Sequence, residues 1–306
     1  MLETPEKDFG LMSLRKTGGM FSGMCNISMA VCSKYFLDSL IADVRKNNIL
    51  KKEDNKDLGE VYELMKKVSV GRLFFDVAGN PDGSFGNTNV AKVKDATASR
   101  KLVHKSCMLY KNSDLKNISP HAPVQVDKVA LKENARTSDK TPVDILTVDL
   151  KYKEGPVKAA AQKMYGNQIK YEFTYPDDYL VWTVGKDPSE MTDAALQSLS
   201  AGKMKPVSGL PAKGLFLVTL NPLNFTKWIA NIAPGPQRGQ MVMMFAVAKG
   251  LLQSINSTAV ITLTGKKQGD KLVVREHIPY APFQKIYETF SGMMSRPAPP
   301  RSSQPQ

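Results

Sequence analysis

The chain has 306 residues, 42% hydrophobic and 23% charged, enough to bury a large core as one domain or as two of roughly 150 residues under an ordinary globular surface. No apolar run approaches the roughly 18–20 residues of a membrane helix, and three cysteines (Cys25, Cys32 and Cys107) are too few for a disulfide framework. The formal charge of +13 is mostly lysine, 33 against 9 arginines, interleaved with Asp and Glu; it reads first as a soluble surface and second as a surface for a polyanion such as nucleic acid, anionic lipid or acidic polysaccharide.

The start, Met1-Leu2-Glu3-Thr4-Pro5-Glu6-Lys7-Asp8, has no basic n-region or apolar h-region and does not read as a signal peptide. On this reading the protein is cytoplasmic, or a leader has been left out. Residues 1–27 are Gly- and Met-rich and read as irregular. An amphipathic helix is predicted over Ser28–Arg45, with Phe36, Leu37, Leu40, Ile41 and Val44 on one stripe. A second helix carries Leu58, Val61, Tyr62, Met65 and Val68. A hairpin follows: Leu73–Ala78, a Pro81-Asp82-Gly83 turn, and Phe85–Val93. Lys94-Asp95 then opens a helix, with Asp95 as its N-cap.

Asn112–Thr141 is polar and broken by Pro120 and Pro123, with one strand expected at Val124–Leu131. Val143–Leu150 is the next strand and Val157–Tyr165 a short helix. A second hairpin joins Ile169–Thr174 to Tyr179–Val184, and again a Lys-Asp pair, Lys186-Asp187, opens a helix. Asp187 is expected to cap it, with Pro188 at the first position and Glu190 reaching back. Strand Gly214–Leu220 leads into a helix from Asn221-Pro222. Gln240–Ile255 reads as a buried helix, apolar nearly all round. Thr258–Thr264 and Lys271–Ile278 form a third hairpin, and Phe283, Ile286, Tyr287, Phe290 and Met294 mark a last helix. The Pro/Ser/Gln-rich tail reads as disordered.

The chemistry of these segments is sparse. There is no G-x-S-x-G elbow and no H-E-x-x-H. Gly18 and Gly23 have phosphate-loop spacing, but Met24 stands where lysine is required. His104, His121 and His277 are scattered, and Glu276 beside His277 points to the opposite strand face. The cysteines read as small buried hydrophobes in preference to a redox pair or metal ligands, and no cofactor or metal site is expected. One cluster suits ligand contact: aromatic Tyr175, Tyr179 and Trp182 with Lys170 and Lys186 around the second hairpin, where bases or sugars could stack. Core packing competes for those aromatics.

From Tyr175 to Met294 the chain resembles in layout the second half of uncharacterised bacterial envelope proteins. The shared order is "PDDYLVWTVGKDPSEM", a strand into "NPLNF", a buried helix, then "TAVITLTGKKQGDKLVVREHIPY" and a terminal helix; "VAKVKDATASRKLV" fits the first half. The resemblance implies an extracytoplasmic location, periplasm or cell surface, and no particular activity. The expectation is thus an α+β protein: a long antiparallel sheet of hairpins with helices on one face, and two related halves, 1–150 and 151–294, before a tail at 295–306. Its first functional reading is a non-enzymatic binding or scaffolding protein of the envelope. The second is a polyanion binder and the third an enzyme of unrecognised type. The partner would be an acidic polymer or another envelope protein.

Overall fold

The computed structural model describes residues 7–15, 19–26, 38–46, 52–112, 123–155, 158–202, 204–232, 260–269 and 271–280, with single helical positions between 239 and 250 and between 284 and 291. The predicted helix over 28–37, Cys32, His121, most of 240–255 and the tail lie outside the described residues. The elements are β1 (Lys7–Asp8), β2 (Gly19–Cys25), α1 (Asp38–Lys46), α2 (Lys52–Val68), β3 (Ser69–Gly79), β4 (Phe85–Val93), α3 (Ala96–Asn112), β5 (Val124–Ser138) and β6 (Thr141–Tyr152). They continue with α4 (Lys158–Tyr165), β7 (Gln168–Thr174), β8 (Tyr179–Gly185), α5 (Ser189–Ser200), β9 (Lys213–Gly214), β10 (Phe216–Leu220), α6 (Pro222–Ile232), β11 (Ile261–Gln268) and β12 (Lys271–His277).

Ten strands form one antiparallel sheet in the order β12-β11-β10-β2-β3-β4-β8-β7-β6-β5, and β1 pairs with β9 in a small second sheet. The α+β class and the antiparallel hairpins stand as expected. The division at residue 150 falls inside β6, whose hydrogen-bonded neighbours β5 and β7 lie on either side of it. Three times the chain runs strand, helix, strand, strand: β2 through α1 and α2 to β3-β4, β6 through α4 to β7-β8, and β10 through α6 to β11-β12. A helix follows each, namely α3, α5 and the helical positions 280, 284, 287–288 and 291. The sequence shows the first two copies by their Lys-Asp helix starts. The third has His277-Ile278-Pro279 there and goes unnoticed.

Alternation fixes the register. Val143, Thr174, Val181, Val90, Phe74, Met24, Leu217 and Thr264 stand directly opposite one another across eight neighbouring strands. None is more than 7% exposed. Phe9, Leu11 and Met12 of a short 3-10 turn and Ala195 of α5 pack on this row. The other face carries Leu146, Val148, Phe173 and Leu180, covered by Val103 and Cys107 of α3. Helices therefore lie on both faces: α3, α4 and α6 on one, α5 on the other. The physical reason is that the strands are apolar on both sides. Thr183 of β8 meets Thr192 of α5 hydroxyl to hydroxyl at 2.6 Å, while Leu180 and Trp182 of the same strand face α3.

The helix starts are local chemistry. Asp95 accepts from the Ala98 amide at 3.0 Å. At α5 the cap position is Pro188, one residue later than expected, and Asp187 accepts from the Ser189 amide and hydroxyl. The two hairpin turns use positive φ at Gly83 (88°) and Asp177 (47°). In the first, burial opposes ionisation of Asp82, but bonds from the Ser84 hydroxyl and amide and from Lys186 hold it down to about 2.

Strand β2 corrects the reading of residues 1–27 as irregular. It sits between β3 and β10, near the middle of the sheet. Its glycines are packing devices: a Cβ at Gly23 would come within 2.5 Å of the Phe75 ring. Gly23→Ala is expected to destabilise the protein by about 1–3 kcal/mol through overpacking. Adding Phe75→Leu to that variant should return part of the loss. Urea unfolding of the two single variants and the double variant reads the coupling, and additive losses would reject the account.

Candidate functional site

Helices α1, α2 and α3 enclose a cleft of about 790 Å³. From α1 it takes Asp38, Ile41 and Ala42, and from α3 Lys101 and Lys105, one turn apart. The wall from α2 is the longest and includes Lys56, Glu60, Tyr62, Leu64, Lys66 and Lys67. Helical spacing of three, four and seven residues puts Lys56, Glu60, Glu63 and Lys67 along one side of α2.

Two of the five lysines are held by acids. Lys105 donates to Glu60, which lowers the carboxylate's pKa and raises the ammonium's. Lys66 meets Glu63 at 2.6 Å, which raises the pKa of Lys66, and lies 4.4 Å over the Tyr62 ring. Tyr62 in turn donates to Asp38, tying α2 to α1. Lys56, Lys67 and Lys101 have no ion pair among the described residues, and all three are exposed at the cleft. The site thus offers unpaired ammonium groups beside an apolar wall of Ile41, Ala42 and Leu64.

Beneath α3 lies a different constellation. Asp144 of β6 is 1% exposed. It accepts from Arg100 Nε at 3.0 Å and Nη2 at 2.7 Å, from His104 Nε2 at 2.8 Å, and from the Asn134 amide at 2.8 Å. The register of β5 shifts between Lys132 and Arg136, and Asn134 takes φ 46° there, which turns its N–H onto the carboxylate. Burial raises the pKa of Asp144, but these donors outweigh it and hold it below the usual carboxylate range.

Cys107, one turn from His104, is no activated nucleophile, because burial and the Asp144 charge push its thiol up to about 12. The Tyr175 hydroxyl, its pKa also raised by burial, is buried with no hydrogen-bond partner among the described residues. Cys107 is a free thiol.

On the opposite face Arg136 bridges Glu172 of β7 (Nε 3.0 Å, Nη2 2.5 Å) and Asp193 of α5 (Nη1 2.8 Å). These two arginine–carboxylate knots fasten α3 and α5 to the sheet.

The five ligand-contact residues read from the sequence fall on two faces. Tyr175 and Trp182 pack in the cluster under α3. Tyr179 packs at the margin of the other core, with Lys92 Nζ 5.7 Å from its ring. Lys170 pairs across the ladder with Gly185. Lys186 meets Asp82 at 3.0 Å. The sheet separates Tyr179 from Tyr175 and Trp182, so the five form no single surface. The cleft lysines were present in the sequence as helical stripes, but their convergence is tertiary and no spacing rule announces it. Comparisons with protein-family models, curated proteins and solved structures return no match to this chain.

Asp144→Asn is expected to lose about 3–5 kcal/mol at pH 7, the cost of breaking a buried ion pair. Because folding lowers the pKa of Asp144, its stabilisation is complete above the unfolded value near 4 and fades as pH falls through the lower folded value. The gap between wild type and variant in urea midpoint should therefore narrow towards acid. A gap that is constant with pH would count against this assignment.

Proposed function

We propose that the protein is a non-enzymatic binding protein whose α1–α3 layer takes up an amphiphilic anion, its acidic groups on lysines of the set Lys56, Lys67 and Lys101 and its apolar body against Ile41, Ala42 and Leu64. The observation that carries this reading is that those three lysines, without an ion pair among the described residues, line one apolar-walled cleft. The cleft volume lies within the range of small-ligand sites. Its concavity favours a discrete ligand over a rigid polymer, which would need a broad arginine-rich face. The formal charge of +13 supports long-range attraction of such a ligand. An envelope setting belongs to the proposal, supported by the resemblance in layout and tested by fractionation of cells.

The test is a fluorescence titration with anilinonaphthalene sulfonate, a probe with an anionic head and an apolar body. Binding should weaken with salt and in the presence of inorganic phosphate. The triple variant Lys56→Glu, Lys67→Glu, Lys101→Glu should bind about tenfold more weakly or worse, with an unchanged circular dichroism spectrum. Equal affinity in the triple variant would reject the site.

A further inference from the structure

The outer edge of β12 is the second surface with an unmet chemical demand. The apolar row that crosses the sheet ends in an arginine at both margins: Arg136 of β5 stands opposite Val143, and Arg275 of β12 opposite Thr264. At the β5 margin the chain supplies the acids, Glu172 and Asp193. At the β12 margin Arg275 has no ion pair among the described residues.

The two edges also differ in how they resist pairing. β5 is broken by two register shifts and studded with Asp127, Lys128, Lys132 and Glu133, the usual defences of a free edge. β12 carries charges of its own, Lys271, Arg275 and Glu276, but it pairs with β11 over seven residues with no shift, and among the described residues no strand lies beyond it.

Alternation gives this edge two unlike faces. Lys271, Arg275 and His277 lie on one side with Val273 between them, and Lys266 of β11 stands opposite Val273. Leu272, Val274 and Ile278 lie on the other, each about half exposed at 49%, 51% and 49%, with Glu276 near its end. Self-pairing is a poor match. The two inner third strands meet with Val90 opposite Val181, and the equivalent position in the third copy is Arg275. A second copy docked the same way would set Arg275 against its own image.

We propose that β12 accepts an extended acidic segment of another protein, whose acidic and apolar residues alternate. Its backbone would continue the ladder. Its carboxylates would lie over Lys271 and Arg275, and its apolar side chains over Leu272 and Val274. Partner identity is carried by this alternation and by its charge.

The test uses two capped heptapeptides, one alternating Glu and Val and the other alternating Lys and Val, titrated into the full chain and read by fluorescence polarisation. The acidic peptide should bind and the basic one should not, with affinity falling as salt rises. Arg275→Glu should weaken binding about tenfold or more, and Lys271→Glu provides a second, independent reading. N-methylation of alternate peptide nitrogens should abolish binding, since a ladder needs the N–H groups. The triple lysine variant of the α1–α3 cleft should bind the acidic peptide as wild type does, which separates this edge from the cleft. The proposal is overturned by indifference to Arg275→Glu, by equal binding of the basic peptide, by loss of binding in the cleft variant, or by sedimentation showing a dimer that Arg275→Glu dissolves.

Discussion

One row of buried side chains sets the register of nearly the whole sheet. From Val143 on β6 to Thr264 on β11, each residue stands opposite the next, so eight strands share a single layer of contacts. A slip of one residue at any junction would turn that strand's buried side chains to the opposite face. Both faces are covered here, so such a slip would not simply expose apolar groups. It would drive Asp144 or Glu172, each nearly inaccessible and each matched to an arginine on its own side, into the wrong layer. The polar knots and the apolar row thus specify the same register by independent means.

The three strand copies share this row, yet their closing helices do not obey one symmetry. β4 and β8 meet antiparallel as equivalent third strands, which places Val90 beside Val181 on the same face. A two-fold relation would put α3 and α5 on one face as well. Instead α3 covers Leu180 and Phe173, while α5 covers Val181 and Thr183. The acids follow the helices: Arg100 on α3 reaches Asp144 on its face, and Asp193 on α5 reaches Arg136 on the other. An open sheet with apolar strands on both sides needs a layer on each, and the second copy supplies what the first does not.

The hairpins, their turns and the helix that follows each were legible because each depends on neighbours in sequence: Pro81-Asp82-Gly83 sets a turn, and Asp95 caps the helix beside it. Strand β5 runs beyond the expected Val124–Leu131 because residues 132–138, polar apart from Ala135, lie on an edge strand, which tolerates polar residues that a central strand does not. Strand β2 was missed for the opposite reason. Its glycines look like flexible linker residues until Phe75 occupies the space where a Cβ would sit. Neither the split of the aromatic cluster across two faces nor the meeting of three helices around Lys56, Lys67 and Lys101 follows from local pattern, since each depends on which way α3 and α5 fold back.

Charge is divided by type in a way that bears on function. The arginines at the two knots are engaged in forked contacts with buried acids, Arg100 with Asp144 and Arg136 with Glu172. The planar guanidinium suits that role, and the hydrated ammonium does not. Lysines remain outside, and those at the cleft are single charges on flexible stems. The arginine left at the β12 margin stands out because its counterpart at β5 is met twice over.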